Sequence, residues 1–155
     1  MLLFYYICIS LIFKNIYMEN WKEAKGFENH YEVSNFGRVR RKKCATHYKD
    51  GRIAFFSETI LKPSINKKGY LRVYLSVNSK KITKSIHRIV AETFIENPEN
   101  KKTVNHIDCN EENNHVDNLE WATNTENMRH AFENGVFKER DKTSIYNIKH
   151  MRNKL

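Results

Sequence analysis

Four side chains able to take part in chemistry lie close together in the second half of the chain: Asn105, His106, Asn118 and Asn127. An imidazole with a pKa near 6.5 can take a proton from water at neutral pH. Amide oxygens can help to hold a hard divalent cation such as Mg²⁺, which stabilises charge on a reacting phosphate. These residue types suit hydrolysis of a phosphodiester bond.

The elements around these residues follow the order strand, loop, strand and helix, predicted over residues 103–106, 107–116, 118–121 and 122–134. Thr123 or Thr125 is expected to cap the helix, and Gly135 to end it. The predicted apolar stripe of this helix comprises Met128, Ala131 and Phe132. Asn105 and His106 are neighbours on a strand, so both reach one site only if the strand twists or ends there.

Charge is divided unevenly along the chain, whose formal net charge is +9. Residues 14–90 hold 18 Lys and Arg against 6 Asp and Glu, residues 91–135 hold 3 against 10, and residues 136–155 hold 6 against 2. A basic front and tail around an acidic centre suits a protein that grips a polyanion and holds a cation in its middle. The alternative is a solvated, lysine-rich surface with no nucleic-acid partner.

The ends of the chain and the cysteines bear on its cellular setting. Residues 1–17 form an apolar leader, shorter than the roughly 20 residues of a membrane-spanning helix, and we expect the folded unit to begin at Met18. A short membrane-associating segment is the competing interpretation, although no stable membrane partner is expected. Cys8, Cys44 and Cys109 form no CxxC pair, which favours a reducing compartment: the cytoplasm or nucleoid of a host cell.

The front of the chain is predicted to be rich in β-strands. Residues 31–34 and 38–40 alternate as two strands of a hairpin around a turn at 35–37, with two arginines facing away from Val39. Residues 42–57 are predicted to be an exposed loop, 70–77 and 80–85 to be strands joined by a tight turn, and 86–95 to be a helix stopped by Asn97-Pro98. His87, at the start of that helix, is assigned a structural role.

The stretch WKEAKGFENHYEVSNFGRVR, over residues 21–40, resembles the nuclease-associated modular motif at the front of phage-type HNH homing endonucleases. The resemblance implies a small β unit that contacts DNA. We expect the DNA contacts to come from basic side chains of the strands and turns, namely Arg38, Arg40, Arg41, Lys67, Lys68 and Arg72. The alternatives are a hairpin that only caps the core and lysines that only protect an edge strand.

The stretch VNHIDCNEENNHVDNLEWATNTEN, over residues 104–127, resembles the HNH endonuclease motif, a ββα-metal (His-Me finger) fold. The resemblance makes His106 the general base and Asn105 and Asn127 the metal ligands. It gives Asn118 the role of tying the two strands together and orienting the histidine. The implied cofactor is a divalent cation, Mg²⁺ in the first place, with Mn²⁺ as an alternative.

Two positions depart from the family pattern. Asn105 stands where many relatives carry Asp, and a neutral amide binds Mg²⁺ more weakly than a carboxylate does. Cys109 stands where Gly is usual, and a residue with a Cβ is strained at positive φ. Other loop residues are interpreted as structural: Asp108 as a cap and reserve ligand, Asn110, Asn113 and Asn114 as turn residues, and His115 and His130 as surface residues. A zinc site from Cys44, His106 and Cys109 matches no standard spacing.

The sequence thus predicts an α+β chain with a basic β-rich module over residues 18–85, a ββα-metal nuclease core over 86–135 and a basic tail over 136–155. The family resemblance suggests that this tail is a truncated helical DNA-binding module. The expected function is Mg²⁺-dependent, homing-type hydrolysis of double-stranded DNA by a monomer that nicks one strand, and the resemblance implies 3′-hydroxyl and 5′-phosphate products. The alternative is a DNA-binding protein derived from an HNH nuclease that cuts weakly or not at all. RNA binding is a third, weaker possibility.

Overall fold

The computed structural model describes residues 18–47, 50–77 and 80–136, so the leader and all of the tail after Val136 lie outside the described residues. Small antiparallel sheets and two α-helices surround one hydrophobic core, which confirms the α+β class. Within the described part of the chain, no helix is long and apolar enough to cross a membrane.

Eleven strands and two helices form the described part of the chain. In order they are β1 Trp21–Glu23, β2 Tyr31–Ser34, β3 Val39–Arg41, β4 Cys44–His47, β5 Ile53–Phe56, β6 Thr59–Ile60, β7 Ser64–Ile65, β8 Leu71–Val77, β9 Lys80–Ser85, α1 Ile86–Phe94, β10 Thr103–His106, β11 Leu119–Ala122 and α2 Asn124–Glu133. The sheets have the orders β1-β2-β3-β6, β7-β8-β9, β4-β5 and β10-β11.

The hairpin of β2 and β3 forms where the alternating pattern predicted it. Val33 pairs with Val39 across the two strands, and both side chains are buried. The turn between the strands needs Gly37, whose φ is +78°, because L side chains are strained there. Arg38 and Arg40 lie on the face opposite Val39, as predicted, because successive side chains of a strand alternate between faces, and both guanidinium groups lie over the Trp21 ring.

The predicted loop over residues 42–57 is wrong. The chain there forms the β4–β5 hairpin, in which Cys44 pairs with Phe56 and Ala45 with Phe55. The mixture of Lys, His, Tyr and Gly in the sequence obscured a short alternating pattern in each strand. Asp50-Gly51, a pair typical of hairpin connections, lies between the strands.

Helix α1 connects the two parts of the chain. Its buried residues Ile86, Ile89 and Val90 pack into the same core as Val33 of β2 and Leu119 of β11. The helix ends at Phe94, and Ile95 donates its backbone N–H to the carbonyl of Ala91. The hydrophobic core therefore continues across residue 85, where the sequence predicted a division into domains; that division stays a prediction about folding units.

The ββα unit is present in the predicted order. Asn105 pairs with Glu120 and His106 with Leu119 across β10 and β11. The returning strand begins at Leu119, one residue later than predicted, because residues 116–118 form a turn of 3₁₀-helix. Thr123 caps α2 in a reciprocal pair with Glu126, a capping box.

The predicted end of α2 is confirmed, and the predicted apolar stripe of the helix is corrected at one residue. Gly135, at φ +67°, follows the helix and lets Val136 N–H donate to the Ala131 carbonyl, which closes the C-terminus as predicted. Met128 was predicted to lie on the apolar stripe, but it is exposed. The short helix covers the β10–β11 hairpin with Ala131 and Phe132, both half-buried, and turns Met128 to solvent.

Candidate active site

An open cavity lies between β10, the loop after it and α2. His106 ends β10, where the strand gives way to the loop, so it and its neighbour Asn105 both line the cavity. Asn127, in the first half of α2, lines the opposite wall. Three of the four predicted chemical residues therefore share one cavity, and Asn118 lies behind the loop and outside the lining.

The ring of His106 is held by a side chain that sequence reasoning treated as turn material. Nε2 of His106 lies 3.3 Å from Oδ1 of Asn114, and both residues are buried. An amide oxygen accepts only, so this contact requires the proton on Nε2 and leaves Nδ1 as the basic nitrogen. Burial lowers the pKa of His106 from its usual 6.5, against opposing effects of Asn114, Glu111 and Asp108. The imidazole is therefore neutral at pH 7.

The amide oxygens at the cavity fit a hard cation. Nδ2 of Asn105 donates to Oε1 of Glu120 at 2.8 Å, which fixes the amide and leaves its oxygen as an available acceptor. Asn127 supplies a second amide and Glu111 a carboxylate to the lining. Mg²⁺ keeps several waters and needs few protein oxygens, so Asn105 and Asn127 suit it.

A zinc site does not fit the described residues. In residues 18–47, 50–77 and 80–136, no three His, Cys, Asp or Glu side chains are grouped so that they could hold a metal ion. The zinc alternative built on Cys44, His106 and Cys109 therefore has no support in the structure, since zinc sites need at least three such ligands.

Asn118 ties the loop together rather than touching the histidine. Its Nδ2 donates to Oδ1 of Asp108 and to the carbonyl of Asn113, both at 2.8 Å, and its Oδ1 accepts from the Asp108 N–H. The second carboxylate oxygen of Asp108 accepts from the Asn113 amide. Asp108 thus caps the loop, and its carboxylate does not line the cavity. Asn114, and not Asn118, is the residue that contacts the His106 ring.

A seam joins this loop to the β2–β3 turn. Gly37 packs so closely on Asn114 that a Cβ at residue 37 would lie 2.7 Å from Asn114 Cβ and 2.9 Å from its carbonyl oxygen. Val116 N–H donates to the Asn35 carbonyl at 2.8 Å. The Phe36 ring lies 5.0 Å from the His115 ring. The β2–β3 turn therefore keeps Asn114 in place, and Asn114 in turn contacts the His106 ring.

Comparison with known proteins shows the family of the chain. Residues 19–76 match the NUMOD4 motif, and residues 84–129 match the HNH endonuclease family. DNA endonuclease I-HmuI of Bacillus phage SP01 is 35% identical over 132 residues, covering 85% of this chain and 68% of I-HmuI. The chain belongs to the HNH homing endonuclease family. A solved structure described as DNA binding and cleavage by I-HmuI matches with a TM-score of 0.62, covering 84% of this chain and 68% of that one.

Longer relatives share the same segment. An uncharacterized HNH endonuclease of Acanthamoeba polyphaga mimivirus is 46% identical over 121 residues, which cover 78% of this chain and 31% of the relative. A second protein of that description from the same virus is 42% identical over 125 residues, covering 76% of this chain and 27% of the relative. The chain thus spans under a third of the length of these two viral members of the family.

The cysteine at residue 109 lies in the loop turn where the sequence predicted strain. Cys109 adopts φ +57°, the left-handed conformation that glycine adopts freely. The loop turn is therefore retained with a cysteine. Sγ of Cys109 lies 3.6 Å from Nδ1 of His130, and both residues line the cavity. His130, predicted to be a surface residue, is half-buried there.

The basic residues predicted to contact DNA differ in availability. Arg38 pairs with Glu19, and Arg40 pairs with Glu32 and Glu58 while lying 4.3 Å from the Trp21 ring. Within the described residues, Lys67 and Lys68 form no ion pair, and both are exposed in the turn before β8. These two lysines are the freer candidates for phosphate contacts.

The guanidinium groups of Arg41 and Arg72 lie over aromatic rings. That of Arg41 lies 4.7 Å from the Phe56 ring and that of Arg72 lies 5.6 Å from the Tyr74 ring. Nε of Arg72 also donates to the Ser64 hydroxyl at 3.3 Å. Both arginines are half-buried, and Nε of Arg41 is buried without a hydrogen-bond partner among the described residues, so DNA contacts from them stay a prediction.

Two further aromatic side chains flank His106. The Tyr70 ring stacks 5.9 Å from the His106 ring, and the His87 ring lies 5.2 Å from it at 71°. His87 is buried, and its Nδ1 has no hydrogen-bond partner in the described part of the chain. Burial, then the nearby His106 and Arg88, lower the pKa of His87 to about 4. A neutral His87 adds no positive charge beside His106 at pH 7.

This lowered pKa predicts a loss of stability in acid. His87 is neutral in the folded protein but gains a proton on unfolding once the pH falls below 6.5, so its contribution is fully present above pH 6.5 and lost as the pH falls toward 4. Compared with His87→Leu, the wild type should lose about 3 kcal/mol more of its free energy of unfolding between pH 7 and pH 4. Urea unfolding at a series of pH values measures this, and parallel curves for the two proteins would contradict it.

Proposed function

We propose that this chain is a divalent-metal-dependent DNA endonuclease that nicks one strand of double-stranded DNA inside the cell. The single observation that carries the proposal is the arrangement of His106. Its ring is neutral, its Nε2 contacts Asn114, and it shares a cavity with Asn105 and Asn127. A poised base next to hard oxygen ligands is the pair of elements that phosphodiester hydrolysis needs.

In the proposed mechanism, Nδ1 of His106 accepts a proton from the attacking water. The contact with Asn114 keeps Nε2 protonated and the ring in one orientation throughout, so that no tautomer change is needed before attack. Asn105 and Asn127 would hold Mg²⁺, or Mn²⁺ in its place, which when bound stabilises charge on the phosphate and on the leaving oxygen. Glu120 fixes the Asn105 amide, so that its oxygen is presented without reorganisation.

Substrate binding is proposed to involve the basic front of the chain. Lys67 and Lys68, in the turn before β8, directly precede Gly69 and Tyr70 in the sequence. Tyr70 and Glu111 both line the cavity, and a Cβ placed on Gly69 would lie 3.9 Å from Cβ of Glu111. Phosphate contacts from this turn would therefore fall beside the cavity. One catalytic histidine per monomer supports cutting of one strand per encounter.

The proposal predicts a metal-dependent nick in supercoiled plasmid. The full chain should convert plasmid to the open-circular form with Mg²⁺ and not with EDTA, and Asn127→Ala should need at least about tenfold more Mg²⁺ for half-maximal rate. Asn134→Ala is the matched control, since Asn134 lies at the exposed end of the same helix, outside the cavity. Equal nicking in EDTA would contradict the proposed metal dependence. Linear plasmid as the first product would contradict the proposed cutting of a single strand.

A further inference from the structure

Glu111 is the one carboxylate in the wall of the cavity, within the described part of the chain. It lies in the loop between β10 and β11, is half-buried, and lines the cavity together with Asn105 and Asn127. Neither a hydrogen bond nor an ion pair joins its side chain to another described residue. Partial burial of a carboxylate without a partner costs free energy. A cation held in the cavity would offset that cost.

The neighbouring carboxylates already have partners outside the cavity. Asp108 accepts hydrogen bonds from amides of its own loop. Glu120 accepts from the Asn105 amide, and Glu126 belongs to the capping box of α2. None of these three acidic residues lines the cavity. Glu111 is therefore the carboxylate that remains available inside it.

The negative charge of Glu111 acts on other groups of the cavity wall. Burial, and after it the charge of Glu111, raise the pKa of Tyr70. Burial, then Asp108 and Glu111, raise the pKa of the Cys109 thiol. A Cβ placed on Gly69 would lie 4.0 Å from a carboxylate oxygen of Glu111. The carboxylate thus lies where the loop between β10 and β11 approaches the turn before β8.

The two amides of the proposed metal site carry no charge. Mg²⁺ is usually bound through one or two protein carboxylates, and Asn105 and Asn127 supply none. Nδ2 of Asn105 donates to Glu120, which an aspartate at residue 105 could not do, because a carboxylate has no donor. Residue 105 therefore fits its surroundings as an amide, and a negatively charged ligand has to come from another residue.

We propose that Glu111 supplies the negatively charged ligand of the divalent cation, the role that the neutral Asn105 does not fill. Glu111 comes from the loop, Asn105 from β10 and Asn127 from α2, and all three line the cavity. Their oxygens form a set of hard ligands with one negative charge, which leaves Mg²⁺ room for several of its waters. This inference rests on the proposed metal-dependent function.

Binding of Mn²⁺ by the free protein tests the inference without DNA cleavage. Mn²⁺ is titrated into the full chain, and the unbound ion is measured by its electron paramagnetic resonance signal. Glu111→Gln should weaken Mn²⁺ binding at least about tenfold, because it replaces a charged oxygen by a neutral one in a side chain of the same shape. Glu112→Gln is the matched control. It removes the same charge from the next residue, which is exposed and outside the cavity, and should bind Mn²⁺ as the wild type does.

A double variant that exchanges the amide and the carboxylate of the β10–β11 pair gives a second test. In Asn105→Asp with Glu120→Gln, the glutamine amide can donate to the aspartate, and the net charge of the protein is unchanged. This exchange moves a carboxylate to residue 105. Adding Glu111→Gln should then cost much less Mn²⁺ affinity than it costs in the wild type, because one charged ligand remains. An equal cost in both backgrounds would show that the two positions act independently, and would overturn the assigned role of Glu111.

The outcomes distinguish this inference from the proposed function. Unchanged Mn²⁺ affinity in Glu111→Gln overturns the inference, even if the wild type nicks plasmid with Mg²⁺. A wild type that binds no Mn²⁺ also overturns it, and plasmid nicking then tests the proposed function separately. Weaker binding in Glu111→Gln than in Glu112→Gln supports the inference, even if no condition gives nicking. Thermal unfolding in EDTA checks that every variant is folded.

Discussion

His106→Ala is expected to slow DNA nicking by about 100- to 10,000-fold, the contribution of a positioned general base. The reason is geometric: Nδ1 is the free nitrogen of a neutral ring whose Nε2 contacts Asn114. DNA affinity in EDTA should change little, because His106 is buried at the cavity wall and carries no charge at pH 7. Gel quantification of open-circular plasmid under single-turnover conditions measures the rate.

His30→Ala serves as the matched control, since His30 lies just before β2 and does not line the cavity. Free imidazole, added to His106→Ala, should restore part of the rate if the ring acts as a base. The wild-type rate should stay level at neutral pH and fall only in acid, because burial lowers the pKa of His106 below 6.5. A His106→Ala rate within a few-fold of wild type would remove the proposed base.

Gly37→Ala is expected to reduce both stability and nicking, although residue 37 does not line the cavity. The new Cβ would meet Asn114 at 2.7 Å and its carbonyl at 2.9 Å, closer than atoms pack, at a backbone φ of +78°. Strain at such a φ costs about 1–3 kcal/mol in the free energy of unfolding. Relief by displacement of Asn114 would loosen the contact with His106, and a shift of about 1 Å at a catalytic group can cost about 100-fold in rate.

Gly26→Ala separates these two effects. Gly26 has nearly the same φ, +82°, but a Cβ there meets nothing within 4 Å. The control should therefore show the loss of stability without the loss of nicking rate, measured by urea unfolding and plasmid nicking at a temperature where both variants are folded. Equal nicking by the two variants would show that Asn114 positions His106 independently of the seam.

Local signals in the sequence predicted most of the catalytic unit. The alternation around Val39, the Thr123 cap with Glu126 three residues on, and Gly135 after the helix each carry their information within a few residues. The same holds for His106, whose strand-to-loop position follows from the polar run after it. These elements are confirmed because neighbours in the chain are enough to decide them.

The features that were missed depend on contacts between distant residues. Nothing local distinguishes Asn114 from the adjacent Asn113, and its burial follows from the approach of Gly37, far away in the chain. His130 enters the cavity lining because α2 packs beside the loop that carries Cys109. The β4–β5 hairpin escaped because its apolar residues face solvent, so the usual link between apolar pattern and burial does not hold there.

The shared core and the seam limit how genes of this kind can recombine. Natural junctions between a NUMOD4 segment and an HNH segment would fall near residue 85 if the two segments folded as independent domains. In this protein, a crossover near residue 85 would place the β2–β3 turn of another protein against Asn114 of this chain. It would also place that protein's counterpart of Val33 against α1 of this chain. Selection of active chimeras should therefore recover junctions before the β2–β3 turn or after the 113–116 loop. Recombination would then transfer the two segments together, as one unit.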